Sequence, residues 1–109
     1  MVGRLAPLAR EQIVSGADPS FERREVHFSG RVQGVGFRYT VRGIAARHDV
    51  RGYVKNLNDG RVLLVVEGPR HALDALIGAV QAEMERYIAD TQTTVLPVTG
   101  EFTRFEVRH

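Results

Sequence analysis

The alternation of hydrophobic and polar positions predicts a strand followed by a helix in the middle of the chain. From Glu25 onward, Val26, Phe28 and Val32 are separated by polar or small residues, which is the two-residue period of a strand with one buried face. Between Phe37 and His48 the apolar residues recur instead at helical spacing, so this segment is predicted to be an amphipathic helix. A glycine-rich loop joins the two elements.

The second half of the chain shows a hairpin, another helix and two further strands. The runs "VRGYVKNL" and "RVLLVVEG" flank "NDG", and Asp-Gly between strand-like runs is a strong hairpin signal. Pro69 then opens a second predicted helix. "TTVLPVT" is interpreted as a fourth strand with Pro97 at an edge or bulge, and "RFEVR" as a short terminal strand. The apolar face of the second helix is predicted to contain Leu73, Leu76, Ile77, Val80, Met84, Tyr87 and Ile88.

The resulting order, β-α-β-β-α-β, predicts an α+β fold. It is the order of the ferredoxin-like sandwich, in which two helices cover one face of an antiparallel sheet. The two strands of a β-α-β unit run parallel, so the ends of strands one and two lie at the same edge of the sheet. Arg38 follows strand one and Asn56 ends strand two. We therefore expect these two residues to share one site.

The first 24 residues differ from the rest in having no sustained period. They include Pro7, Gly16, Pro19 and part of the charged run "ERRE", and are predicted to be a flexible or weakly helical extension. Residues 25–109 are predicted to form a single domain, a usual size for one hydrophobic core. No function is assigned to the extension, and its apolar stretches are too short for a secretory signal.

Composition excludes several classes of protein and of site. The chain of 109 residues has no cysteine, which excludes disulfide frameworks, thiolate zinc sites and thiol nucleophiles. No apolar run approaches the roughly 20 residues that span a bilayer, so we expect a cytoplasmic protein without a membrane partner. The net charge of +2 is only a weak indication of an anionic ligand. We expect no metal site, because no metal-ligand spacing relates the four histidines, which are His27, His48, His71 and His109.

The glycine-rich loop fits neither of two common phosphate-binding motifs. A Walker loop requires Gly-Lys, which occurs nowhere in the chain, and in "GVGFRY" Tyr39 occupies the last glycine position of a dinucleotide fingerprint. Backbone N–H groups in a glycine turn, followed by a helix N-terminus, nevertheless form an anion-binding concavity. Arg38 in the first helical turn is unfavourable for the helix dipole, and a bidentate contact with phosphate would offset that. The loop is therefore predicted to bind an oxyanion.

Two segments carry a resemblance to a known family. "GRVQGVGFR" at 30–38 and "GYVKNLNDGRV" at 52–62 resemble the paired signature of acylphosphatases, and the resemblance extends over residues 25–109. It implies hydrolysis of the carboxyl-phosphate anhydride of a small acyl phosphate to a carboxylate and inorganic phosphate. It implies no cofactor, no metal ion and no covalent intermediate. By position, the resemblance implies that Arg38 binds the phosphoryl group and that Asn56 orients the attacking water. It also implies that the phosphate oxygens are bound by the backbone of Gln33, Gly34, Val35, Gly36 and Phe37.

Other interpretations remain open at this point. The glycines alone would suit an ordinary tight turn, and Asn56 alone would suit the cap of a hairpin. A non-catalytic nucleic-acid-binding module has the same order of elements, but "RGYVKN" matches only the start of the RNA-binding pattern, and "RVLLVVEG" has no aromatic residue. A domain of a larger carbamoyl-transfer enzyme is a further alternative. We expect an enzyme that acts as a monomer without a nucleic-acid partner.

Overall fold

The computed structural model describes residues 20–109, which form five strands and two helices in the predicted order. The elements are β1 (Phe21–Gly30), α1 (Phe37–Ala45), β2 (Arg51–Asn56), β3 (Val62–Pro69), α2 (Arg70–Glu83), β4 (Ile88–Leu96) and β5 (Phe105–Arg108). The predicted ferredoxin-like α+β fold is confirmed. Most of the predicted N-terminal extension, residues 1–19, lies outside the described residues. No helix in the described range is long and apolar enough to cross a membrane.

The strands form one sheet in the order β4-β1-β3-β2-β5. β3 lies between β1 and β2 and is antiparallel to both, so β1 and β2 point the same way, as predicted. The sheet is not wholly antiparallel, however, because β5 pairs with β2 in parallel. β4 ends at the edge of the sheet where β2 begins, and residues 97–104 cross to the far side along that edge. The chain therefore enters β5 in the same direction as β2.

The first strand begins earlier than the pattern predicts. Phe21 already pairs with Pro69 of β3, so residues 21–24 belong to the sheet and not to an extension. The charged run resembles a loop in sequence, but its side chains have tertiary partners. Arg24, which is 9% exposed, donates to Asp74 of α2 at 2.7 Å and to Glu22 at 2.8 Å. Because these carboxylates pair with its charge, Arg24 is compatible with a buried position in a strand.

Two helix ends and the start of β4 also differ from the predictions. α1 ends at Ala45 and not at His48, and α2 ends at Glu83. Met84 is still buried, but Ile88 is already in β4 and pairs with Gly30. The polar segment "IADTQ" has little hydrophobic signal, yet it forms a strand because β1 supplies backbone partners along its length. β4 is an edge strand that ends just before Pro97.

Both helices cover the same face of the sheet, as predicted. Alternate residues of the strands and the inner faces of the helices form one buried cluster. Phe28 of β1 and Phe37 at the start of α1 are at most 2% exposed, and their ring centroids are 5.2 Å apart. Burial of each ring stabilises the fold by roughly 1.5–3 kcal/mol. This contact holds the start of α1 against β1, so the intervening loop lies at the edge of the sheet.

Candidate functional site

The loop between β1 and α1 owes its shape to two glycines. Gly34 has a φ angle of +78° and Gly36 one of +76°, both in the left-handed region. A Cβ atom at either position would meet nothing within 4 Å, so the backbone conformation and not crowding favours glycine. Between them Val35 is partly buried against the core, and Val32 is fully buried before them. The loop is thus anchored at its apolar residues and turns sharply at its glycines.

Several backbone N–H groups of this loop are available to a ligand. Within residues 20–109, no hydrogen bond engages the N–H groups of Gly34, Val35 or Gly36. Gly36 is the N-cap of α1 and provides no side-chain cap. The first N–H groups of a helix also have no partner within the helix. A series of donors therefore leads into the positive end of the helix dipole, an arrangement that suits an oxyanion.

Gln33 connects the loop to the hairpin that follows β2. Its side-chain Nε2 donates to the carbonyl oxygen of Leu57 at 2.8 Å and to that of Arg61 at 2.9 Å. Leu57 N–H also donates to the Arg61 carbonyl at 2.8 Å and closes the turn. The amide nitrogen of Gln33 is therefore occupied by the hairpin, so only the backbone of this residue is free for the predicted contact with phosphate.

Arg38 lies in the first turn of α1 and is half-buried. Its Nη1 donates to the carbonyl oxygen of Arg108 at 3.0 Å and lies 3.2 Å from Nδ1 of His109. Within the described residues it forms no ion pair with a carboxylate. A guanidinium has five donors in a planar fork. One nitrogen fixes its orientation, and the others remain available with the charge not neutralised.

Asn56 is the last residue of β2, and its two neighbours in sequence connect it to the contacts of Arg38 and of Gln33. Lys55, the preceding residue, pairs with Arg108, whose carbonyl binds Arg38. Leu57, the following residue, accepts the hydrogen bond from Gln33. The structure thus brings Arg38, the loop and Asn56 to one edge of the sheet, as their positions in the β-α-β unit predicted.

The carboxylates near this edge are paired with arginines. A hydrogen bond from the Arg61 backbone N–H lowers the pKa of Asp59, and its side chain also accepts from Arg61 Nε at 2.9 Å. The hydrogen bond from Arg108 lowers the pKa of Glu106. Both groups are ionised at neutral pH, so neither is suited to donate a proton. Among residues 20–109, no cluster of three or more His, Asp or Glu side chains could bind a metal ion.

The contacts of Arg38 with Arg108 and His109 had no signal in the sequence. They join residues 70 and 71 positions apart, and one of the acceptors is a backbone carbonyl, which every residue has. The same is true of the two carbonyls that bind Gln33. Only the local part of the site, namely the glycine turn and the residues next to it, is visible as a motif.

The sequence model of the family described as acylphosphatase matches residues 24–107. The chain belongs to the acylphosphatase family. An acylphosphatase from Acaryochloris marina is 40% identical over 84 residues, which are 72% of this chain and 85% of that protein. The resemblance inferred from the two motifs is therefore confirmed, and with it the assignment as an enzyme of the acylphosphatase class.

Solved structures agree with this assignment. The crystal structure of the acylphosphatase from Bacillus subtilis superimposes with a TM-score of 0.73 at 33% identity, covering 81% of this chain and 99% of that one. HypF from T. kodakarensis matches with a TM-score of 0.70 at 33% identity, covering 81% of this chain but 12% of that one. The acylphosphatase fold thus occurs both as nearly a whole protein and as a small part of a longer one.

Proposed function

We propose that the enzyme hydrolyses small acyl phosphates to a carboxylate and inorganic phosphate, with Arg38 binding the phosphoryl group and Asn56 orienting the attacking water. One observation carries the proposal. The guanidinium of Arg38, without a carboxylate partner in the described residues, lies beside a turn whose backbone donors are unused, at the sheet edge where β2 ends in Asn56. The cation and the donors stabilise charge on a phosphoryl group, and the amide holds a water molecule by hydrogen bonding.

Arg38 and the loop act on the phosphoryl group. The hydrogen bond to the Arg108 carbonyl fixes the orientation of the guanidinium plane. The remaining N–H donors of the guanidinium have the geometry to bind two phosphate oxygens. The backbone N–H groups from Gln33 to Phe37 bind the other oxygens. As the bond to the acyl oxygen lengthens, charge spreads over the phosphoryl oxygens, and donors already in place stabilise it without reorganisation.

Asn56 acts by position and not as a base. Its amide does not take up a proton at neutral pH, but its oxygen accepts a hydrogen bond from water. Water held there attacks phosphorus in line with the leaving acyl oxygen. The leaving group is a carboxylate, a weak base, so no strong general acid is required. The proton of the attacking water passes to a phosphate oxygen or to solvent, and the mechanism needs neither a metal ion nor a cofactor.

The arrangement of the sheet disfavours the nucleic-acid-binding alternative. Single-stranded RNA is bound in this fold by exposed aromatic rings on the central strands. Tyr53, the aromatic residue of "RGYVKN", is covered by the guanidinium of Arg108, 3.9 Å from its ring centroid, and by the edge of Phe102. Its ring is not presented to a base. We therefore include no nucleic acid in the proposal and expect a monomeric cytoplasmic enzyme; light scattering that gave the mass of a dimer would contradict the monomer.

The assay that tests the proposal is hydrolysis of benzoyl phosphate in the presence of EDTA. We expect rapid hydrolysis by the unmodified protein and large losses in Arg38→Ala and Asn56→Ala. Arg47→Ala and Gln92→Ala are matched controls, because both residues are exposed and neither belongs to the glycine turn, the first turn of α1 or the hairpin after β2. Inorganic phosphate should still inhibit or bind the Asn56 variant but not the Arg38 variant. Unchanged turnover in Asn56→Ala would exclude the water-orienting role, and an inactive unmodified protein would refute the proposed function.

A further inference from the structure

A second arginine lies on the same face of α1 as Arg38. Arg42 follows at the i+4 position, one turn further and roughly 6 Å along the helix axis. Its side chain is exposed and forms no ion pair or hydrogen bond within residues 20–109. α1 contains these two arginines and no acidic residue. Like charges at this spacing repel each other, although Arg42 in the last turn also interacts favourably with the negative end of the helix dipole.

A groove is lined by Arg42 and reaches His109, the residue that contacts Arg38. It lies between α1 and the end of the chain, has a volume of about 420 Å³, and is lined on the helix side by Tyr39 and Arg42. The opposite side is formed by residues 104–107 and His109. His109 also contacts Arg38, with 3.2 Å between Nδ1 and Nη1. One end of the groove, at His109, therefore adjoins the proposed phosphate-binding group, and the groove also includes Arg42.

The charge within the groove is predominantly positive. Glu106 is its one acidic lining residue, and the hydrogen bond from Arg108 keeps this side chain ionised by lowering its pKa. Its carboxylate is already bound by Arg108 at 2.8 Å and by Arg104 at 3.5 Å. Arg42 has no such partner among the described residues. Tyr39, which is 54% exposed, adds an aromatic surface to the same groove.

We propose that this groove holds the acyl half of the substrate and that Arg42 binds a second anionic group on it. The substrate class would then be acyl phosphates whose acyl part carries a carboxylate or phosphate about one helical turn, roughly 5–6 Å, from the reacting group. The inference rests on the proposed function, because it requires the phosphoryl group to be at Arg38. Arg42 is a specificity-determining residue in this arrangement and takes no part in bond breaking.

The test compares two substrates that differ in one charge, benzoyl phosphate and 4-carboxybenzoyl phosphate. We expect the unmodified enzyme to prefer the carboxylated substrate on the order of five- to tenfold in kcat/KM, mainly through KM, as for a partly exposed charge-assisted hydrogen bond. In Arg42→Gln this preference should fall to near one. Arg47→Gln, which removes an exposed arginine outside the groove, should keep both the preference and the activity. Raised ionic strength should weaken the preference of the unmodified enzyme.

The outcomes separate the two proposals. If neither substrate is hydrolysed, the proposed function fails and the inference fails with it. If both are hydrolysed with equal kcat/KM, the inference is overturned while the proposed function stands. An equal loss of preference in Arg42→Gln and Arg47→Gln would also overturn the inference, because it would indicate a general effect of net charge and not a contact with Arg42.

Discussion

The side-chain amide of Gln33 donates to the carbonyl oxygen of Leu57 across 2.8 Å and so joins the glycine turn after β1 to the hairpin after β2. The same nitrogen also donates to the carbonyl of Arg61 at 2.9 Å, so the side chain binds two residues of the hairpin. Since Asn56 immediately precedes Leu57, this side chain ties the proposed water-binding amide directly to the proposed phosphate-binding loop, in addition to the placement that the sheet provides.

Replacing Gln33 by glutamate should therefore reduce both stability and activity. The carboxylate has nearly the same shape, but it cannot donate to two carbonyl oxygens and would be repelled by them. We expect a loss of about 1–3 kcal/mol in the free energy of unfolding, because two hydrogen bonds to half-buried carbonyl groups are removed. We expect kcat/KM to fall about tenfold or more as the site loosens.

Urea unfolding and benzoyl phosphate kinetics measure these two effects of the Gln33 substitution. Gln92→Glu is the matched control, since Gln92 is exposed on β4. A Gln33→Glu protein with unchanged stability and kinetics would show that the bridge between loop and hairpin is dispensable.

Alanine at Gly34 or Gly36 should destabilise the protein and impair binding of phosphate. Their φ angles of +78° and +76° lie in the left-handed region, where a Cβ atom costs about 1–2 kcal/mol. If the chain relaxes to avoid this strain, the N–H groups of the turn are reoriented. Inhibition by inorganic phosphate should then weaken together with stability.

The same substitution at Gly78 should have the opposite effect on stability. Gly78 lies in α2, its added Cβ would meet open space, and its φ angle is not positive. The substitution should stabilise the protein by about 0.5–1 kcal/mol. Thermal unfolding of the three variants checks both signs, and a Gly36→Ala protein as stable as Gly78→Ala would contradict the strain argument.

Two substitutions of Arg38 separate the effect of its planar guanidinium group from the effect of its positive charge. Arg38→Lys keeps the positive charge but lacks the geometry that holds two phosphate oxygens and the Arg108 carbonyl together. We expect both Arg38→Lys and Arg38→Ala to lose about 10²–10³-fold in kcat, with lysine recovering only a small part. Added guanidinium ion should restore some activity to the alanine variant and none to the lysine variant. Full activity in Arg38→Lys would show that charge alone is sufficient.

Glu67 should make stability depend on pH in the acid range. Its side chain is 8% exposed, and burial by itself would raise its pKa. Hydrogen bonds from Thr99 N–H and hydroxyl, from Gly100 N–H and from Arg23 outweigh the burial, so that the pKa of Glu67 lies below its ordinary value of 4.5. A carboxylate with a lowered folded-state pKa stabilises the protein above the unfolded-state pKa. That contribution is lost as pH falls through the folded-state value.

The free energy of unfolding should therefore decrease when pH is lowered from about 5, and part of this decrease should be absent in Glu67→Gln. Urea unfolding at several pH values measures the difference. Glu85→Gln serves as the control, because Glu85 is exposed and forms no ion pair within residues 20–109. If Glu67→Gln and the unmodified protein lose stability in parallel, Glu67 is not the group responsible.

The sequence by itself determined the order of the elements, the glycine turn and the family. These features depend on local physics: the period of apolar residues selects helix or strand, Asp-Gly closes a hairpin, and glycine permits the left-handed angles at Gly34 and Gly36. Given that order, the handedness of β-α-β crossovers was enough to place Arg38 and Asn56 at the same edge of the sheet.

Only the tertiary structure decided where β1 and β4 begin, how β5 pairs, and what holds Arg38. The charged start of β1 and the polar start of β4 become strands because neighbouring strands supply backbone partners. β5 is parallel to β2 because of the side from which the chain reaches it. Arg38 is oriented by the backbone carbonyl of a residue 70 positions away. Backbone groups are the same in every residue, so such contacts leave no pattern in sequence and exist only once the chain has folded.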